Sequence, residues 1–140
     1  QKIADFKVAL YATEQLLEKY KHLSPAQYNI VMMNDRLNWV PCSIWKQRSK
    51  PNIVFNCDSM LGVVNAVKES IGASILPCFI GDAEPTLKRA TDILTDVGSE
   101  LWVLSHADLR RTERVKALMN HLTQGLSKAR HQLEGSNRSS

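Results

Sequence analysis

Short apolar runs alternate with amphipathic segments along most of this chain. "FKVALYA" near the start, "NIVF" in the middle and "ELWVLS" in the last third have the length and composition of β-strands. "TEQLLEKYKHL" instead places its leucines and a tyrosine on one helical face. The pattern predicts, in chain order, strand 6–12, helix 13–23, strand 28–33, a short helix around Ile44 and Trp45, strand 52–55, helix 59–70, strand 73–76, strand 100–105 and helix 107–135.

The predicted strands are uniformly apolar, which is typical of strands that are buried on both faces. Because they alternate with helices, the chain is expected to adopt an α/β fold with a parallel-rich sheet flanked by helices. Right-handed crossovers are then expected to align strands 28–33, 52–55 and 73–76 in one direction. Gly72 is expected to end the helix over 59–70.

Polar or polarisable residues directly follow these three strands. Ligands of open α/β sheets bind beyond the carboxyl ends of the strands, so we predict a ligand site at this edge. Taken singly, each residue has a structural explanation as a turn former, a helix cap or a buried thiol, and the prediction depends on their convergence. The candidate residues are Asn34, Asp35, Trp39, Cys57, Asp58, Ser59, Pro77 and Cys78.

Asp58 has two alternative roles at the start of the helix over 59–70. As an N-cap it would occupy backbone N–H groups that could otherwise bind an anion, and an acidic ligand would need another partner such as Arg36. Turned into the cleft, it would favour a neutral or cationic ligand. The sequence leaves both roles open.

Composition and charge exclude several classes of function. The apolar runs are too short to cross a bilayer. The net charge of +4 includes arginines in the last third, which we interpret as a solvated helix face rather than a nucleic-acid surface. Three widely spaced cysteines argue against a disulfide framework or a zinc site and favour a reducing cytoplasm. Without metal-ligand histidine spacing, a glycine-rich phosphate loop or a GxSxG elbow, we expect neither an enzyme nor a bound cofactor.

Three segments together resemble the C-terminal portion of LysR-type transcriptional regulators. They are "VALYATEQLL", "NIVFNCDSMLGVVNAVKESIGASILPCFIGDAEPTLKR" and "ELWVLSHADLRRTERVKALMNHL", in the family's order and spacing. The resemblance implies an effector-binding domain with the type-II periplasmic-binding-protein fold, in which two lobes are joined by two crossing strands. It also implies a homo-oligomer that binds DNA only through a winged helix-turn-helix domain absent from this chain.

By this resemblance, residues 1–12 are a crossing strand from a truncated first lobe and residues 13–99 are the complete second lobe. Residues 100–134 are the returning crossing strand and the C-terminal helix of the first lobe, and residues 135–140 are a disordered tail. The family's pocket positions correspond to Asn34, Asp35, Cys57, Asp58 and Ser59. The chain departs from the family at Ser70, where relatives usually have glycine.

Two alternatives remain at this stage. Cys42 lies in the region where peroxide-sensing relatives have a reactive cysteine, so the domain could sense thiol oxidation instead of a metabolite. Solute-binding proteins of transporters share the fold implied by the resemblance, so a fragment of such a protein is the second alternative.

Overall fold

The computed structural model of the chain describes residues 2–34, 40–94, 99–102 and 113–135. Within these ranges the strands are β1 (Lys2–Phe6), β2 (Val8–Thr13), β3 (Asn29–Met33), β4 (Asn52–Cys57), β5 (Ser74–Pro77), β6 (Leu87–Arg89) and β7 (Ser99–Trp102). The helices are α1 (Glu14–Lys19), a 3-10 turn (Pro25–Gln27), α2 (Val40–Ser49), α3 (Met60–Lys68), α4 (Cys78–Gly81), α5 (Glu113–Lys128) and α6 (Arg130–Leu133).

Strands β3, β4 and β5 point in the same direction. β3 and β4 pair in parallel, ending with Met33 opposite Cys57. An isolated parallel bridge between Ile30 and Ala73 places the start of β5 beside β3. The backbone N–H of Ala73 donates to the carbonyl of Asn29 at 2.9 Å across this bridge. The predicted common direction of the three strands is therefore confirmed.

The remaining strands make the fold a mixed one. β2 lies between β5 and β6 and pairs antiparallel with both. β1 and β7 form a separate antiparallel pair. The strand predicted over residues 6–12 is divided, because β1 ends at Phe6 and β2 begins at Val8. The peptide groups of Lys7 at this break bond to other segments: its N–H donates to the carbonyl of Leu133 and its carbonyl accepts from the N–H of Cys78.

Alternate residues of β2 enter two hydrophobic clusters, one on each face of the sheet. Val8, Leu10 and Ala12 belong to the cluster that includes side chains of α1 and α2. Ala9 and Tyr11 belong to the cluster that includes the buried face of α3. Burial on both faces explains why this strand is apolar or aromatic from Val8 to Ala12.

β4 differs from the uniformly buried strand that the sequence predicts. Val54 is 44% exposed and Phe55 is 48% exposed. Among the described strands β4 pairs only with β3, so it lies at an edge of the sheet, where side chains retain contact with solvent. The prediction of burial is wrong for this strand.

The prediction that Gly72 ends α3 is also wrong. The helix ends at Lys68, and Ser70 takes the left-handed backbone conformation with φ +59°. The Ser70 hydroxyl lies 2.6 Å from the Thr13 hydroxyl at the start of α1. Gly72 instead permits a close approach, because a Cβ atom there would lie 2.7 Å from the carbonyl oxygen of Asn29.

The predicted C-terminal helix is observed in two pieces. No residue of α5 is buried, whereas Leu133 of α6 is only 8% exposed. Gly135, which the sequence assigns to the tail, is buried. Residues 103–112 and 136–140, which the prediction also covers, lie outside the described residues.

Candidate functional site

The ends of β3 and β4 are joined by two hydrogen bonds from Asn34. Its backbone N–H donates to the carbonyl of Cys57 at 2.7 Å. Its side-chain amide donates to the Asp58 carboxylate at 3.2 Å. Asn34 is half-buried and Asp58 is exposed, so the pair forms a polar surface at the carboxyl ends of the two strands.

Ser59, not Asp58, caps α3. The Ser59 hydroxyl accepts a hydrogen bond from the N–H of Gly62 at 3.0 Å, and its backbone is extended as an N-cap requires. Of the two roles that the sequence leaves open for Asp58, capping is therefore not the one observed. The carboxylate is instead directed to Asn34 at the end of the neighbouring strand.

Cys57 lies beneath this polar surface. Its side chain is 8% exposed and packs against the first turn of α3, where a Cβ atom at Gly62 would lie 3.8 Å from the Cys57 sulfur. Burial, and secondarily the negative charge of Asp58, raises the pKa of the Cys57 thiol. A protonated thiol is a poor nucleophile, so Cys57 has the character of a packing residue.

The third strand end lies on the same side of the sheet but is covered. Ile30 and Ala73 pair across a parallel bridge. Asn34 lies four residues after Ile30 and Pro77 lies four residues after Ala73, so the two residues reach the same edge of the sheet. Pro77 and the following Cys78 are both buried, with Cys78 fully inaccessible. Burial is the main reason that the pKa of the Cys78 thiol is raised.

Asp35 and Trp39 lie outside the described residues, so the structure locates six of the eight predicted site residues. Asn34, Cys57, Asp58 and Ser59 come together at the ends of β3 and β4. Pro77 and Cys78 occupy the end of β5 as buried residues.

A partly buried ionic network beside Cys78 is the feature that sequence reasoning missed. The Arg89 guanidinium binds the Asp82 carboxylate through two nitrogens, at 3.0 and 2.5 Å. The Tyr11 hydroxyl donates to the same carboxylate at 2.6 Å. Desolvation, followed by the hydrogen bond to Asp82, raises the pKa of Tyr11 far above its ordinary value, so it remains a neutral donor. The only sequence signal was an isolated tyrosine in an otherwise aliphatic strand.

A separate surface cleft of about 460 Å³ lies along α2. Its described lining consists of Ser43, Lys46, Gln47 and Lys50, which repeat along one face of the helix and its end. In the part of the chain that the structure describes, no group of three or more His, Cys, Asp or Glu residues could hold a metal ion. No helix in those same ranges is long and apolar enough to cross a membrane.

Comparison with protein families gives a match to the LysR substrate binding domain over residues 1–127. No curated protein matches the chain.

Among solved structures, the regulatory domain of CrgA, a LysR-type transcriptional regulator from Neisseria meningitidis, superimposes with a TM-score of 0.65 at 15% identity. The match covers 90% of this chain and 67% of that one. The effector domain of AmpR from Pseudomonas aeruginosa gives a TM-score of 0.60 at 15% identity, covering 94% and 65%.

The fold extends beyond regulators. An amino acid ABC transporter substrate-binding protein from Streptococcus pneumoniae, bound to L-arginine, gives a TM-score of 0.57 at 18% identity and covers 96% of this chain and 59% of that chain. The predicted periplasmic-binding-protein-like fold is therefore confirmed. The chain spans about two thirds of the length of the effector domains that it matches.

Proposed function

Because the chain belongs to the family of LysR substrate-binding domains, we propose that it senses a small-molecule effector for a bacterial transcription regulator. The effector binds at the carboxyl ends of β3 and β4 and makes no covalent bond. The part of the matched effector domains that this chain does not span supplies the opposite wall of the cleft. DNA is bound by a separate helix-turn-helix domain of the same regulator.

The observation that carries this proposal is the hydrogen bond between Asn34 and Asp58. It brings an amide and an exposed carboxylate together at the edge where ligands of α/β sheets bind. Ser59 rather than Asp58 caps α3, and the Asp58 carboxylate is exposed at the strand ends, where its negative charge would attract a ligand cation or N–H donor. We therefore propose a neutral or cationic effector rather than an acidic one.

Family membership favours a regulator over a transporter solute-binding protein, although the two classes share this fold. Burial of Cys42, Cys57 and Cys78 disfavours thiol sensing, since reactive cysteines require an accessible thiolate. The raised pKa values of Cys57 and Cys78 disfavour it further. Catalysis is no part of the proposed role.

Oligomerisation is the second part of the proposal. Leu118 and Leu122 of α5 are 56% and 41% exposed on one face of the helix. Exposed apolar surface of this kind is typical of a surface that packs against another domain or subunit. Effector binding would then act by shifting the population of alternative packings in the regulator.

An NMR titration tests the ligand site directly, because it detects weak binding to one wall of a cleft. The titrants are a panel of amino acids and amines that differ in charge. We expect cationic members to shift the amide signals of Asn34, Asp58 and Ser59 while leaving Gly125 in α5 unchanged. Asp58→Asn should weaken that binding about tenfold or more, since a hydrogen bond to a charged group contributes about 1.5–3 kcal/mol.

Glu69→Gln is the matched control, because it removes an exposed acidic side chain at the other end of α3. It should bind cationic titrants as the unaltered chain does. Equal affinity in the Asp58→Asn variant, or a stronger response to acidic titrants than to cationic ones, would contradict the proposed site.

A further inference from the structure

Residues 130–135 form a short segment that crosses the end of β5; we refer to it as the C-terminal strap. It comprises α6 and the turn after it, ending at Gly135. Leu133 and Gly135 are buried, whereas α5 immediately before the strap has no buried residue. The strap therefore supplies the buried residues by which the terminal helical region packs against the rest of the described fold.

Backbone hydrogen bonds connect the strap to the end of β5 through one residue, Lys7. The N–H of Lys7 donates to the carbonyl of Leu133 at 3.2 Å, and the carbonyl of Lys7 accepts from the N–H of Cys78 at 2.9 Å. Lys7 lies between β1 and β2. Displacement of the strap would consequently release the N–H of Lys7, the residue whose carbonyl also holds Cys78, the first residue after β5.

Arg89 supplies the ionic attachment. Its guanidinium donates to the carbonyl oxygen of Gly135 at 2.7 Å while also binding the Asp82 carboxylate. Asp82 itself lies directly after α4, the helix that begins at Cys78. One arginine thus holds the strap and the turn beyond the β5 end together, and its fork geometry is what allows both contacts at once.

Cys78 lies directly under the strap. Gly135 has φ +72°, and a Cβ atom at this position would lie 2.9 Å from both the Cβ and the sulfur of Cys78. The strap therefore covers Cys78 with a backbone surface that has no side chain. Because burial also raises the pKa of this thiol, the covered cysteine should resist alkylation.

We propose that the C-terminal strap covers the end of β5, that Arg89 holds it closed, and that it can detach without unfolding of the domain. Detachment of the strap would couple a change at the β5 end to the position of the terminal helices α5 and α6. Segments held by few contacts open independently of global unfolding. The link to effector sensing rests on the proposed function, because the β5 end lies at the same edge of the sheet as the ligand site proposed at the ends of β3 and β4. The opening itself requires no ligand and is measurable in the chain alone.

The test is site-resolved alkylation of the whole chain with N-ethylmaleimide, followed by peptide mass spectrometry. Cys42 and Cys57 serve as internal reporters of global unfolding, since both are buried. Cys42 lies in the other hydrophobic cluster, and Cys57 packs against the first turn of α3. Arg89→Lys retains the charge but loses the fork that binds Asp82 and Gly135 together. We expect alkylation of Cys78 to rise about 10- to 100-fold, with little change at the other two cysteines.

Gly135→Ala tests the strap without altering Arg89, because the added methyl group would displace the turn from Cys78. It should raise alkylation of Cys78 to a similar extent. The matched control is Arg130→Ala, which removes an exposed ion pair with Glu134 inside the strap but leaves the Arg89 contact intact. That variant should change the Cys78 rate by about twofold at most.

Two results would overturn the proposal. One is an equal rise at all three cysteines in both Arg89→Lys and Gly135→Ala, which would indicate global unfolding. The other is an unchanged Cys78 rate in both variants. Neither result would affect the proposed ligand site at Asn34 and Asp58, which the NMR titration tests separately.

Discussion

Substitution of Gly81 by alanine should disrupt the core of this domain. A Cβ atom at Gly81 would lie under 3.0 Å from three ring atoms of Tyr11. Tyr11 is 1% exposed, and its hydroxyl donates to Asp82 at 2.6 Å and accepts from Arg89 at 3.3 Å. The core confines the Tyr11 ring, and the charged partners Asp82 and Arg89 fix its hydroxyl. The ring therefore cannot move away from an added methyl group at Gly81 without breaking these contacts.

The magnitude follows from two contributions. Overpacking of a filled core costs about 1–3 kcal/mol. Moving the ring would also break a hydrogen bond to a charged group, which costs about 1.5–3 kcal/mol. We therefore expect Gly81→Ala to lower the free energy of unfolding by about 3–5 kcal/mol. For a chain of 140 residues the melting temperature should fall by roughly 10–17 °C.

Gly125→Ala is the matched control, because no atom lies within 4 Å of a Cβ built at this position in α5. Removing a glycine from an exposed helix interior should stabilise that helix by about 0.5–1 kcal/mol. The same substitution is thus expected to have opposite signs at the two positions. Urea denaturation followed by circular dichroism measures both, provided that the slope of the transition is unchanged.

A double-mutant cycle with Tyr11→Ala identifies the cause. If the methyl group clashes with the ring, Gly81→Ala should be much less damaging once the ring has been removed, and the two substitutions will not add. Additive effects, or a Gly81→Ala variant within about 1 kcal/mol of the unaltered chain, would refute the reasoning.

Two further predictions concern Ser70 and α5. Ser70→Ala retains a positive φ without the hydrogen bond to Thr13, whereas Ser70→Gly relieves the backbone strain, so the glycine variant should be about 1 kcal/mol more stable than the alanine variant in urea denaturation. Equal stability of the two variants would show that this strain is negligible. Leu118→Glu combined with Leu122→Glu should shift sedimentation toward the monomer while leaving the unfolding curve unchanged, because both side chains are exposed. A chain that sediments as a monomer before substitution would contradict the oligomerisation proposal.

Hydrophobic patterning was sufficient to predict the direction of the central strands. Every position of β2 and β5 is buried, and the apolar runs over residues 8–12 and 75–77 within them indicate this directly. β4 has a similar composition but lies at an edge, and its exposed Phe55 shows that composition does not distinguish the two situations. Edge position is a property of the assembled sheet and is not encoded in a five- or six-residue segment.

The position of the candidate site could be predicted from the strand ends. Which of two neighbouring residues caps α3 could not be predicted, because both are suited to the role. Asn34 and Asp58 were singled out because polar residues directly after apolar segments are conspicuous. Ser59 and Asp58 are both good N-caps, and the observed choice of Ser59 depends on Asn34, which is distant in sequence. The Asp82–Arg89 ion pair joins a turn to an edge strand, and no pattern of residue spacing in the sequence predicts such a contact.

Gly72 has a consequence for how this family member can change during evolution. Among the described strands, the β3–β4 pair and the sheet formed by β5, β2 and β6 meet at a seam where the backbone of Gly72 approaches that of Asn29. A side chain at this seam would act as a wedge and splay the strands, misaligning Asn34 and Pro77 although it touches neither. Natural variation at the strand ends can therefore preserve the alignment of Asn34 with Pro77 only as long as position 72 remains glycine.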